Sequence, residues 1–131
     1  RVINDNKLEE YVFLLGSKDN VIEHLKYINI LLLCSYIEGL PLAPIEAFSQ
    51  RVPVIATDID GTNEEIINGY NGYLLKCKDT LGISKKIIEL YNNNEEIEIM
   101  KKNSYTDYIL RFNKEKYLSK HVDIYNRIIG R

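Results

Sequence analysis

Cysteine is scarce in this chain of 131 residues: there are two. Cys34 lies inside an apolar run and Cys77 between lysines, with no Cys or His neighbour at metal-ligand spacing. That excludes a disulfide framework and a thiolate metal cluster, and it fits a reducing compartment. An excess of positive charge is missing too. Lys and Arg number 17 against 19 Asp and Glu, a net charge of −2, so the chain offers no basic field to a polyanion and nucleic acid is not an expected partner. No unbroken apolar stretch exceeds Ile30 to Cys34, far short of a membrane span. The opening Arg1-Val2-Ile3-Asn4-Asp5-Asn6-Lys7 has no apolar h-region; no signal peptide is read there, and a cytoplasmic location is expected. There is no internal repeat and no linker. What remains is a globular composition, 45% hydrophobic and 27% charged. A chain of this length buries roughly two-thirds of the surface it exposes when unfolded, enough for one core.

The first half alternates short apolar runs with helical patterns, as βαβ units of a parallel sheet do. Tyr11 to Leu15 is an apolar, β-rich run stopped by Gly16, and Val21 to Tyr27 reads as a short helix. Ile30 to Cys34 is apolar on both alternating faces, the pattern of a strand covered on both sides. A turn-rich loop, Ser35 to Leu42, leads to a helix from about Ala43 to Gln50. Val54 to Thr57 is the next strand, introduced by Pro53, and Thr62-x-x-Glu65 reads as a capping box opening a helix that ends at Asn68-Gly69. Gly72 to Leu75 makes a fourth strand. Three helices follow: Ile83 to Tyr91, Glu95 to about Leu110, and Lys114 to Ile129, the last with Leu118, Val122, Tyr125 and Ile129 on one stripe. Residues 1–10 read as the tail of a helix and a loop, so the N-terminus looks cut rather than begun.

Ligands of open α/β sheets bind at the carboxyl ends of strands, which directs attention to the loop after Cys34. It places Glu38 in a crevice loop before Gly39, whose missing side chain lets a ligand approach the backbone. Pro44 suits the first helical position, and Leu42 and Ala43 then keep free N–H groups at a helix N-terminus that favours phosphate. Glu46, on the first turn, is placed to accept two hydrogen bonds from a vicinal diol such as that of a ribose. Each acid also has an ordinary reading, Glu46 as a glutamate favoured by the helix dipole and Glu38 as a solvated loop acid. His24 and His121 read as structural, and Lys76, Lys78, Lys85 and Lys86 as a solvated basic cluster that could face an anionic membrane.

These residues resemble a known family. Glu38-Gly39-Leu40-Pro41-Leu42 through Glu46-Ala47, then Val52-Pro53-Val54-Ile55-Ala56-Thr57-Asp58, then Gly61 with Glu64 or Glu65, then Asn71-Gly72-Tyr73-Leu74, resemble the C-terminal, donor-binding domain of family 4 retaining GT-B glycosyltransferases. Four motifs in order and spacing carry the likeness, which runs from Tyr11 to the end. It implies a Rossmann-like parallel sheet flanked by helices, the C-terminal half of a GT-B fold lacking its beginning, with residues 1–131 a partial nucleotide-sugar-binding domain. In similar enzymes the second glutamate of the motif, here Glu46, holds the ribose diol, and the first, here Glu38, lies by the donor sugar and is the catalytic candidate. The resemblance sets the backbone of Gly39, Leu40, Pro41, Leu42 and Ala43 against the sugar and diphosphate, and Gly16, Ser17 and Lys18 beside the nucleobase. It implies a UDP- or GDP-linked sugar as substrate, no cofactor and no metal. The acceptor would be a cell-surface glycan or lipid-linked molecule held by the absent domain, in polysaccharide biosynthesis at the inner face of the membrane, with a peripheral membrane contact left open.

Two departures stand out. The family's Arg and Lys that grip the diphosphate belong before this chain begins, so as it stands it holds half a site, inactive or incomplete. Asp60 occupies a position where similar proteins usually have Gly. Asp58-Ile59-Asp60 also spells the Asp-x-Asp of metal-dependent glycosyltransferases of another fold, the weaker reading because one short motif is little signal. The rival functions are a non-catalytic Rossmann-like partner subunit and a nucleotide-sugar epimerase of related architecture. The implied strand order 3-2-1-4-5-6 leaves Tyr11 to Leu15 without the neighbours that separate it from Ile30 to Cys34. If these residues fold alone, that run pairs directly with the next strand or an edge is left open.

Overall fold

The computed structural model of the chain describes residues 1–130. Three strands, β1 (Leu31–Leu33), β2 (Val54–Thr57) and β3 (Gly72–Leu75), form a parallel sheet in that order, with Leu31 beside Val54 and Val54 beside Gly72. The helices are α1 (Val2–Asp5), α2 (Val21–Leu25), α3 (Leu42–Ser49), α4 (Thr62–Glu65), α5 (Thr80–Tyr91), α6 (Asn94–Asp107) and α7 (Lys114–Ile128), with a π-helical turn at Tyr108–Phe112 between the last two. Asp79, Asn93 and Asn113 start α5, α6 and α7 by accepting a backbone N–H from the first turn of each.

Strand alternation builds one core on each sheet face. Val54 and Ala56 pack with Leu25, Ala47, Phe48, Val52 and Ile66 on one side. Ile55 packs with Leu90, Ile97 and Met100 on the other. Central β2 is buried along its whole length, which suits the apolar run Val54-Ile55-Ala56 that precedes Thr57.

Several expectations are corrected. Tyr11 to Leu15 forms no strand: it is extended and unpaired, with Leu14 86% exposed. Strand propensity expresses packing against neighbours, and no strand among the described residues runs beside this segment. The corresponding edge of β1 is open and Leu32 is 46% exposed, so β1 is not covered on both faces. Second, Thr62-x-x-Glu65 is not a capping box. Gly61 caps the helix and Thr62 is its first residue, its hydroxyl turned inward, 2.6 Å from Thr57 O and 2.9 Å from Ile59 O. Third, α4 stops after one turn and not at Asn68-Gly69, because the buried Asn71 side chain takes the Ile67 N–H at 2.8 Å and Ile66 turns extended into the core. The stripe Leu118, Val122, Tyr125 and Ile129 exists on α7 but is exposed.

Candidate functional site

The carboxyl ends of β1 and β2 carry two loops that touch. Thr57, the last residue of β2, donates its hydroxyl to Ser35 O at 2.5 Å and so ties the start of the β1 loop to the sheet. Ser35 in turn donates its hydroxyl to Glu38 Oε1 at 2.6 Å, which orients that half-buried carboxylate. Further on, Gly61 at φ +91° passes so close to Gly39 that a Cβ there would lie 2.2 Å from Gly39 O. Position 61 requires glycine both for its backbone angle and for this approach. The two loops enclose an open depression of about 360 Å³ lined by Tyr36, Ile37, Glu38, Ile59 and Asp60. Lys78, following β3 on the same edge, holds its Nζ 6.0 Å from the Tyr36 ring centroid.

The intervening segment runs Gly39, Leu40, Pro41 into α3. Pro41 is the N-cap in extended conformation and supplies no side-chain cap, so the amides of Leu42 and Ala43 at the first two helical positions have no acceptor within the helix. Pro44 therefore sits at the third position rather than the first, still where a missing N–H costs nothing. Glu46 is correspondingly the fifth residue of α3 and lies one turn in, not on the first turn. It is half-buried, and among the described residues its carboxylate has no hydrogen-bond or ion-pair partner; only its carbonyl is engaged, by Ser49 Oγ at 2.6 Å. Gly16, Ser17 and Lys18 are exposed in the extended segment before α2 and do not line the depression. Asp58 is exposed, and Asp60 lines the depression. Among the described residues no three His, Cys, Asp or Glu side chains are grouped to hold a metal ion. His121 stacks on Tyr117, at 4.1 Å between ring centroids, far along α7.

Sequence reasoning named Glu65 only as a capping-box residue and as one of two acids in the Gly61 motif, and missed its burial. Glu65 is fully buried, 0% exposed, and among the described residues neither carboxylate oxygen has a hydrogen-bond partner. Burial pushes its pKa up to about 7; the nearby Glu64 and Glu38 carboxylates add to the rise and the Arg111 guanidinium opposes it. The signal was present. Thr62, Glu65 and Ile66 stand at i, i+3 and i+4, one helix face, and that is the face α4 buries. A second missed set fixes α4 from below. Asn71 Nδ2 donates to Asp107 Oδ2 at 2.8 Å and to Glu65 O at 3.2 Å, and Arg111 donates to Asp107 Oδ2 at 2.9 Å, to Glu65 O at 3.3 Å and to Glu64 O.

A parallel α/β unit with helices on both faces of the sheet belongs to the class of Rossmann-like folds. The glycosyl transferases group 1 family model matches residues 2–107, and the chain belongs to that family. It is 31% identical to the N-acetyl-alpha-D-glucosaminyl L-malate synthase of Bacillus anthracis over 98% of this chain and 34% of that protein. It is 30% identical to the UDP-Gal:alpha-D-GlcNAc-diphosphoundecaprenol alpha-1,3-galactosyltransferase of Escherichia coli over 92% of this chain and 31% of that one. Among solved structures, a TarM variant from S. aureus in complex with fondaparinux, alpha-GlcNAc-glycerol and UDP superposes with a TM-score of 0.86 at 30% identity, covering 95% of this chain and 25% of that chain. The fold is that of GT-B glycosyltransferases, and the chain spans about a third of the length of these curated relatives. No helix among the described residues is long and apolar enough to cross a membrane.

Proposed function

We propose that this chain is the donor-binding half of a two-domain, retaining glycosyltransferase that moves a sugar from a UDP- or GDP-linked donor to a glycan or lipid-linked acceptor. The observation that carries the reading is the placement of Glu38 and Glu46 along one loop-and-helix unit at the carboxyl edge of the sheet, joined by the unpaired amides of Leu42 and Ala43. In this reading Glu46 accepts the two ribose hydroxyls, its carboxylate having no partner among the described residues to compete for it. The Leu42 and Ala43 amides and the partial positive charge of the α3 N-terminus meet the diphosphate. Glu38, oriented by Ser35, lies by the donor sugar and the reacting face, while Gly16, Ser17 and Lys18 border the base.

The depression itself is acidic, with Glu38 and Asp60 in its wall and Glu65 buried behind, so a departing diphosphate needs cationic donors from elsewhere in the complete protein. The remaining two-thirds of the relatives' length is the natural source of those cations and of the acceptor site. The Escherichia coli relative is named for a diphosphoundecaprenol-linked acceptor, which supports a lipid-linked acceptor here. No cofactor or metal is part of the proposal.

The test is a thermal-shift panel of nucleosides, nucleoside diphosphates and nucleotide sugars on the complete protein. UDP or GDP at about 100 times its Kd should stabilise by about 2.7 kcal/mol, and the bare nucleoside by far less. Uniform melting across the panel would remove the donor-site assignment. A product whose new linkage has the anomeric configuration opposite to the donor's would remove retention alone.

A further inference from the structure

The π-helical turn Tyr108–Phe112 has a consequence for the site. A π-turn admits one extra residue per hydrogen-bonded ring, which rotates every following side chain by about 100° relative to an uninterrupted α-helix. Within this turn the Arg111 guanidinium lies at the end of α4, where the helix leaves its last carbonyls without intrahelical partners and Ile66 has already turned extended. The guanidinium reaches Glu65 O at 3.3 Å and also Glu64 O, with Asp107 Oδ2 at 2.9 Å completing its fork. It lies over the Phe112 ring, 4.7 Å from the centroid, and Phe112 in turn packs on Phe48 of α3 with centroids 6.5 Å apart.

Resting on the proposed function, we propose that Arg111 is a positioning residue of the donor site: as the C-terminal clamp of α4, it holds Gly61 against Gly39 and so fixes the loop that carries Glu38. The chain of contacts is continuous. Arg111 holds the Glu64 and Glu65 carbonyls; those residues end a helix of one turn; that turn begins at Gly61; and Gly61 lies against the carbonyl of Gly39, next in sequence to Glu38. A helix of four residues has no length over which to absorb a displacement, so a shift at its end passes to its start. Glu46 is fixed differently. Its helix is anchored through Ala47 and Phe48, which pack among Leu25, Val52, Val54 and Ile66 as well as Phe112, so loss of the Arg111 fork removes none of the apolar side chains that hold α3.

This divergence sets the test, in the complete protein with a saturable nucleotide-sugar donor. Arg111→Gln should lower kcat on the order of 10²-fold, because a displacement of about 1 Å at a reacting group costs that much, while the Kd for the nucleoside diphosphate moves less than about threefold. Arg111→Lys, which keeps a cation but not the fork, should recover about tenfold of that loss. Met100→Ala, in the core on the other face of the sheet, is the stability control: it should lower Tm without changing kcat at a temperature well below the transition. The inference is overturned if Arg111→Gln keeps kcat within about threefold of the parent, if nucleotide affinity falls in step with kcat, or if Met100→Ala reproduces the kcat loss. Absence of transfer in the parent protein would remove the proposed function and this inference together; transfer in the parent with Arg111→Gln unaffected removes this one alone.

Discussion

Glu46→Ala is expected to weaken binding of a nucleoside diphosphate on the order of 10²-fold or more, and to erase the preference for the ribonucleotide over its 2′-deoxy counterpart. A carboxylate accepting two hydroxyl hydrogen bonds contributes about 1.5–3 kcal/mol per bond, because the acceptor is charged. The half-buried Glu46 carboxylate has no partner to lose among the described residues, so the variant should melt within a few degrees of the parent in the absence of nucleotide. The informative comparison is a cycle of two proteins and two ligands, titrated calorimetrically with UDP and 2′-deoxy-UDP, or with the GDP pair if the panel selects guanosine. Discrimination in the parent that vanishes in Glu46→Ala assigns the ribose to this residue. Equal discrimination in both proteins would place the ribose elsewhere.

Glu65 governs the second large effect, which concerns stability. Its pKa is raised from 4.5 to about 7, chiefly by burial, with Glu64 and Glu38 adding to the rise and Arg111 opposing it. Below pH 4.5 the carboxyl is protonated in both folded and unfolded chains, and its titration contributes nothing. Between 4.5 and about 7 the unfolded chain releases the proton and the folded chain keeps it, so stability falls as pH rises; above about 7 the full penalty is present. A rise of this size corresponds to a penalty on the order of 3 kcal/mol. Replacing the unpartnered acid by a residue of similar volume removes it. Glu65→Leu should therefore gain on the order of 3 kcal/mol over the parent at about pH 8 relative to pH 4.5, read from urea unfolding at the two pH values. A constant difference between the two proteins across pH would show that Glu65 does not titrate near neutrality in the folded state.

Sequence reading succeeded where burial and punctuation coincide. Val54–Thr57 follows Pro53 and is buried throughout, and Gly72–Leu75 follows Asn71 with its partner strand beside it; both strands stand where the pattern puts them. The loop from Ser35 into α3 was legible for the same reason, since Gly39 interrupts regular structure and Pro41 and Pro44 fix φ there. Tyr11 to Leu15 shows the limit. Its composition is that of a strand, but pairing is supplied by another segment, and none of the described strands flanks it. The Thr62–Glu65 motif failed for a local reason: Gly61 at φ +91° takes the cap position, which moves Thr62 into the helix and Glu65 into the core. The shift of Pro44 and Glu46 by two positions has the same origin, an N-cap at Pro41 that the pattern placed later. The π-turn, and with it the Arg111 clamp, depends on contacts to residues about 46 positions earlier in the chain, which no local pattern encodes.

The chain also holds a larger cavity, about 510 Å³, lined by residues such as Asn29, Ile30, Ile87, Tyr91, Ile97 and Lys101. Ile30 precedes β1, which places this cavity at the amino edge of the sheet, opposite the Glu38 depression. Parallel sheets bind ligands at the carboxyl edge, where the strand-to-helix loops converge, so the larger cavity is not taken as the donor site. Nuclear magnetic resonance separates the two in a single titration of the isotope-labelled complete protein with the nucleoside diphosphate that the panel selects. The donor-site account predicts that the largest amide shifts fall on Gly39, Leu42, Ala43 and Glu46. Shifts concentrated on Asn29, Ile87 and Lys101, with the β1–α3 amides unmoved, would contradict it.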